Sequence, residues 1–389
     1  MQKSRSDLGV WALSVTAFAI GIAEFIVVGI LPTISSALNV PLAQTGSLVG
    51  LYALALAIGT PIMVLLLSRF AKKTVLLALI MMFISGNVLA AISPNYDILL
   101  LGRVITAVAH GSFFAIGATV AVSMVAKERA GQAIALMFSG LTLAMVIGVP
   151  LGSLIGNSLN WRYPFYAVVL LGILSLLAIY LWVPTLKTGS AIAVAEQLKT
   201  LKSVPILTMM IITILGFGAS FAAFTYITPI LTEITRFSLS MANLLLVLFG
   251  IATLLGNIFG GRLVSRLGWA SSTRWMLFAL TLVLLLMGFL MQQQGFMLIL
   301  LFVWGFLAFG VSPGFQSGML TTAEKWTPKA IDFASGLNIS AFNLGITLGE
   351  IFGSVFVGKG YLAYTPWIGV LLLILAQFPL KWLQHKNQN

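Results

Sequence analysis

The chain has 389 residues, 60% of them hydrophobic and 8% charged, and its mean hydropathy is +1.08. Soluble domains are about one-quarter charged, so this composition excludes an ordinary soluble globule and points to an integral membrane protein. The net charge of +12 sits in short basic runs between apolar segments rather than in a dense aromatic-flanked patch, which argues against a nucleic-acid partner, and the absence of cysteine removes disulfide and thiolate chemistry.

Lys3 and Arg5 precede the first apolar run, as in a secretory leader. That run continues to about residue 38 with Glu24 at its centre, too long for a cleaved segment, and reads as a first spanning helix. Twelve spans are expected, over about 9–37, 43–67, 74–93, 97–124, 132–156, 163–183, 205–232, 241–265, 273–292, 296–320, 332–357 and 361–382. Each is long enough to cross about 30 Å of hydrocarbon. The breakers Asn39, Pro41, Pro94, Asn95, Asn160, Pro184 and Pro328 fall between them.

With the N-terminus placed inside, all of the 21 basic residues but Arg103, Arg162, Arg236 and Lys359 fall in inside loops and tails. This bias predicts that both termini are cytoplasmic. The Lys/Gly/Ser-containing stretch 185–204 reads as a cytoplasmic linker between two six-helix bundles, 1–184 and 205–389. An internal repeat supports the division. Gly59 and Ser68-Arg69 recur 197 positions later as Gly256 and Ser265-Arg266, and Gly148, Gly152 and Gly156 recur as Gly345, Gly349 and Gly353. Two similar halves in parallel topology are the plan of one transporter class, with a binding site expected at midplane between them.

The stretch 101–117, LGRVITAVAHGSFFAIG, is apolar enough for a bilayer yet carries Arg103 and His110. Seven residues apart, they share one helix face roughly 10 Å apart along the axis. Ionisable groups at membrane depth are expensive and mark function by default. Glu24 lies about as deep in the first span as His110 in the fourth. Glu350, seven residues after Asn343 on the same face, is the other carboxylate within a span. Each has a plain structural alternative: Glu24 and Glu350 as polar contacts between helices, His110 as a packing residue, and Arg103 as a side chain snorkelling to the outer interface.

After the second span comes S-R-F-A-K-K at 68–73, with Arg69, Lys72 and Lys73, and after the eighth comes G-G-R-L-V-S-R-L-G at 260–268, with Arg266. The fifth span carries Gly140 and then Gly148-Val-Pro150-Leu-Gly152-x-x-x-Gly156, small residues that let helices approach closely around a proline bend.

On these residues the chain resembles the major facilitator superfamily. The loops at 68–73 and 260–268 resemble its signature Gly…Asp-Arg-x-Gly-Arg-Lys/Arg, except that Ser68 and Ser265 stand where the family has Asp and Ala71 replaces a Gly. Arg103 begins a match to the helix-four signature Arg-x-x-x-Gly, with Ala107 in the Gly place, and G…G-x-P-x-G is similar to the antiporter motif. With A-E-F at 23–25 and W-R-Y at 161–163, these features look like the drug/proton antiporter branch, in its arabinose- and sugar-efflux-permease-like subgroup. The resemblance implies an all-α membrane fold of twelve helices in two pseudo-symmetric bundles, with helices one, four, seven and ten lining a central cavity.

It further implies proton coupling through Glu24, with Arg103 and His110 facing the same aqueous path, and gating through Arg69, Lys72, Lys73 and Arg266; Glu350, which no family pattern demands, is read from its place within a span as a second proton-coupling or cation-recognising group. Burial and a neighbouring cation pull a carboxyl's proton affinity in opposite directions, a combination suited to a group that binds and releases a proton. The expected solute-binding set is Phe18, Phe25, Phe114, Phe217, Phe221, Phe224, Trp304, Gln316 and Asn343; aromatic stripes of this kind are otherwise core or lipid-facing.

Two enzyme readings fail. There is no H-E-x-x-H, and Gly353-x-x-x-x-Gly358-Lys359 mimics a phosphate loop but has Gly360 where Ser or Thr is needed. The expectation is therefore a monomeric secondary exporter of small organic solutes or drugs in exchange for protons, without cofactor or metal, in a bacterial inner membrane. The alternatives are a sugar or nucleoside exporter or uniporter of the same fold, and a non-transporting membrane sensor.

Overall fold

The computed structural model describes residues 2–40, 42–185 and 194–388. Residues 186–193, which hold most of the first half of the expected linker and its Lys187, lie outside the described residues.

The regular elements are helices: α1 Gln2–Leu38, α2 Leu42–Leu67, α3 Lys72–Ala91, α4 Tyr96–Ser123, α5 Ala130–Leu143, α6 Val149–Ser158, α7 Tyr163–Trp182, α8 Val194–Leu198, α9 Val204–Phe224, α10 Ile227–Pro229, α11 Leu239–Leu267, α12 Trp269–Leu290, α13 Gln294–Gly310, α14 Ser312–Trp326, α15 Ile331–Gly358 and α16 Thr365–Gln388. Among the described residues, twelve stretches are long and apolar enough to cross a membrane, with α5 and α6 forming one of them and α13 and α14 another. The chain is an all-helical, twelve-span membrane protein.

Local chemistry sets the boundaries. Asn95 caps α4 by accepting from the Ile98 N–H at 3.0 Å, and Ser238 caps α11 by accepting from Met241 at 3.2 Å. Pro164, Pro205 and Pro313 stand in the first turns of α7, α9 and α14, where a missing N–H costs nothing. Gly268, at φ +76°, turns α11 directly into α12, a backbone shape that L side chains resist. The fifth span is not one regular helix, because Pro150 clashes with the preceding turn. A π-helical turn at Ala144–Gly148 separates α5 from α6. The tenth span likewise breaks at Val311, two residues before Pro313.

The chain divides into two compact units, 1–198 with 329–340, and 199–328 with 341–389. In the first unit, glycines of the fifth span meet one face of α1. A Cβ on Gly140 would strike the Ser14 carbonyl, and those on Gly148, Gly152 and Gly156 would strike Ile22, Ile26 and Ile30. Gly102 does the same against the backbone of Gly86 and Ala90, which seats α4 on α3. In the second unit Gly345, Gly349 and Gly353 of α15 meet the backbone of Ile214, Gly218 and Ala222 on α9. Helices can approach this closely only through small residues. The repeat is visible in the element starts: α2 and α11 begin 197 residues apart, as do α3 and α12.

The seams predict unequal tolerance. Gly349→Leu, whose Cβ would fall on the Gly218 carbonyl, is expected to cost at least the about 1–3 kcal/mol typical of overpacking. Gly50→Leu, with nothing within 4 Å, is expected to melt like the parent. Thermal unfolding of both variants in detergent checks this.

Candidate functional site

The charge-bearing side chains of α1 and α4 converge inside the first unit. Positions 103, 110 and 114 lie on one face of α4. Arg103, 1% exposed, donates from Nη1 to the Ala23 carbonyl and from Nη2 to the Glu24 carbonyl at 3.2 Å. It is therefore turned inward onto α1, not outward to the interface as the snorkelling alternative required. Its third face is an aromatic ring: Cζ lies 4.0 Å from the centroid of Tyr52, on α2. The Tyr52 hydroxyl is 2.9 Å from His110 Nδ1. The His110 ring then stands 5.1 Å from Phe114, and Phe114 stands 5.0 Å from Phe138 on α5.

Glu24 is half-buried. Its carboxylate forms no ion pair with Arg103; the guanidinium holds the backbone beside it instead. Three helices thus build one polar path, Glu24–Arg103–Tyr52–His110, within the first unit. Three of its four members were expected from the sequence, and Tyr52 was not. A signal existed: the other tyrosines lie within about a turn of a helix end, where the interface favours them, whereas Tyr52 stands mid-span.

The remaining expected residues fall elsewhere. Phe18 and Phe25 are half-buried on α1. Glu350 is half-buried on the part of α15 that belongs to the second unit. There Phe217 touches Phe221, Phe309 and Phe342 at centroid distances of 5.2, 5.7 and 4.9 Å. Phe224 stacks on Phe249 at 4.9 Å, and Phe249 meets Trp304 at 5.3 Å. Trp304 is fully buried and donates from Nε1 to Ser220 Oγ at 3.2 Å. Gln316 and Asn343 are also buried. The expected aromatics of the second unit, Phe217, Phe221, Phe224 and Trp304, thus form a continuous ring network, also joined by Phe249 and Phe342, which sequence reasoning missed. Residues 353–358 of the phosphate-loop mimic are the last stretch of α15, and only Lys359 and Gly360 lie in the turn that follows.

Of the expected gating residues, Lys72 pairs with Asp332 at 2.9 Å and donates to Thr119 at 3.1 Å. Ser335 donates to the Ala115 carbonyl at 2.7 Å, so the first turns of α15 that belong to the first unit are held on α4 and at the start of α3. Lys73 donates instead to the Tyr180 carbonyl at 2.7 Å, while Arg69 and Arg266 are exposed. Ser68 and Ser265 fold back onto the carbonyls of Leu65 and Gly261 in their own helices. Arg162 of the W-R-Y stretch stacks on Trp161 at 4.2 Å and donates to the Ser93 carbonyl at 2.7 Å, tying α7 to the end of α3.

Comparison with known proteins matches this twelve-span architecture to a family. The profile of the Major Facilitator Superfamily matches residues 13–349. The chain belongs to that superfamily. It is 40% identical to the MFS-type transporter YtbD of Bacillus subtilis (strain 168) over 372 residues, covering 95% of this chain and 94% of the relative. A protein of Helicobacter pylori (strain ATCC 700392 / 26695) described as a probable sugar efflux transporter is 30% identical, with 97% of this chain and 95% of that one covered. In fold it matches the crystal structure of the human organic anion transporter MFSD10 with TM-score 0.77 at 16% identity, covering 97% of this chain and 99% of that one. The protein is therefore a multi-pass membrane transporter of the superfamily, acting on a small-molecule substrate, and not an enzyme.

Arg103→Lys keeps the charge but loses the planar fork that reaches two carbonyls and stacks on a ring. Its expected cost is about 1–3 kcal/mol, read as a lowered melting temperature of the purified protein; an unchanged melt would mean that the fork is dispensable.

Proposed function

We propose that the protein is a proton-coupled secondary exporter, which carries small, partly apolar organic solutes out across a bacterial cytoplasmic membrane in exchange for protons. It acts as a monomer with both termini in the cytoplasm, by alternating access of its two repeated halves. Proton coupling runs through Glu24 beside Arg103, and Glu350 is the second titrating carboxylate. The observation that carries this reading is the placement of Arg103 on the α1 backbone at Ala23 and Glu24, deep among apolar residues, with a half-buried carboxylate at its side. A cation held in an apolar bundle without a bonded carboxylate keeps an adjacent acid sensitive to every change in local hydration. The half-buried aromatics Phe18, Phe25 and Phe224 keep part of their apolar surface uncovered, which favours apolar or aromatic solutes.

A second reading, export of a sugar by the same machinery, is favoured by one finding: the Helicobacter pylori relative described as a sugar efflux transporter matches over nearly its whole length.

Everted membrane vesicles separate the readings. An imposed pH gradient is followed by a fluorescent dye while chloramphenicol or arabinose is added. The parent protein is expected to dissipate the gradient with the solute it carries, and Glu24→Gln to lose at least tenfold of that proton flux at equal expression. A Glu24→Gln protein with parental proton-driven transport and parental pH dependence would overturn the coupling role.

A further inference from the structure

The polar path contains one residue that nothing above assigns. Tyr52 is 2% exposed, stands mid-way along α2, and touches two members of the path at once. Its ring lies against the Arg103 guanidinium at 4.0 Å, and its hydroxyl lies 2.9 Å from His110 Nδ1. We propose that Tyr52 is the positioning residue of this site: its hydroxyl donates to His110 Nδ1, so that His110 carries its proton on Nε2 and presents that N–H as a fixed donor to a hydroxyl or carbonyl oxygen of the solute.

The direction of the bond follows from counting partners. A phenol has one proton to place, and a neutral imidazole has one N–H and one lone pair. Tyr52 has no hydrogen-bond partner among the described residues besides His110 Nδ1. If Nδ1 donated, the phenolic proton would be buried with no acceptor. With the phenol donating, both groups are satisfied and only Nε2–H is left over. Nε2 bonds to no described residue and is not among the buried atoms sealed without a partner. A hydrogen bond to one ring nitrogen is how proteins choose which of the two carries the proton.

The charged and titratable groups that face this pair are Arg103 from its own helix α4 and Glu24 from α1. The ring of Tyr52 also gives the guanidinium its third contact, beside the two carbonyls of α1. One side chain therefore sets the position of the cation and the tautomer of the imidazole. The inference rests on reading this cluster as the transport site, but the structural half of it does not depend on which group carries the proton.

His110 is one of only two histidines in the chain, so the test is spectroscopic. The full-length protein, with His385→Gln to remove the other signal, is labelled with ¹⁵N-histidine and reconstituted in lipid nanodiscs. The expected spectrum near neutral pH shows a single tautomer with unprotonated, hydrogen-bonded Nδ1 and protonated Nε2. Tyr52→Phe keeps the ring but removes the hydroxyl, and is expected to give a mixed tautomer population or a displaced Nδ1 signal. A parental spectrum with the proton on Nδ1 overturns the proposal, and so does a Tyr52→Phe spectrum identical to the parent's. The parental spectrum decides the direction of the bond even where the variant folds poorly. Failure of Glu24→Gln to alter proton coupling would leave this ¹⁵N signature in place, so the two readings fail separately.

Discussion

A guanidinium cannot be left bare in hydrocarbon. Arg103 is almost wholly enclosed, and among the described residues no carboxylate lies within ion-pairing distance. The fold answers by surrounding the cation with partial charges: two carbonyl oxygens of α1 and the face of an aromatic ring. Carbonyls already engaged in a helix accept a second hydrogen bond at little cost, because each has two lone pairs. This solution fixes the distance between α1 and α4. It also demands that α1 be held at a set height, which the glycines of the fifth span provide by accepting Ser14, Ile22, Ile26 and Ile30 along one stripe. The position of Glu24 is thus a by-product of housing its neighbour.

The repeat makes the same point by contrast. A shift of 197 residues carries Glu24 onto Phe221, Tyr52 onto Phe249, Arg103 onto Leu300 and His110 onto Leu307. Every polar member of the path has an apolar counterpart in the second unit, and two of those counterparts belong to its ring network. One helical plan has been filled twice, once around a charge and once around packed rings. The second filling needs no compensating dipoles and buries its members against one another, as Trp304 and Phe315 illustrate.

What the sequence made legible follows from which signals survive in a membrane protein. Spans, breakers and glycine spacing are visible because apolar length and small-residue period are strong, local patterns. Charges within spans stand out against hydrocarbon-like surroundings, so Glu24, Arg103, His110 and Glu350 are readable one by one. Facing is much less readable, because a helix apolar on all sides carries no stripe to show its neighbours. Phe138, Phe249 and Phe342 were hidden for that reason, whereas Tyr52 was marked only by standing mid-span, which does not say which way it faces. The ring-on-ring contact of the aromatic set was hidden too, since a phenylalanine in such a helix reads the same whether it meets a solute, a lipid or another ring. The π-helical turn at Ala144–Gly148 depends on how one backbone relaxes ahead of Pro150, and Pro150 alone announces only a bend.

The two glycine stripes differ in what they meet. On the fifth span, three of the four glycines look at isoleucine side chains of α1; on α15 the matching glycines look at the main chain of α9. Side-chain tips can change rotamer and ride over a ridge, whereas peptide groups in van der Waals contact cannot. The first seam thus holds α1 at its height mostly through flexible tips, and a small side chain added there can be absorbed by rotamer changes. The second is a keyed joint of backbone against backbone, where the same addition must displace a whole helix.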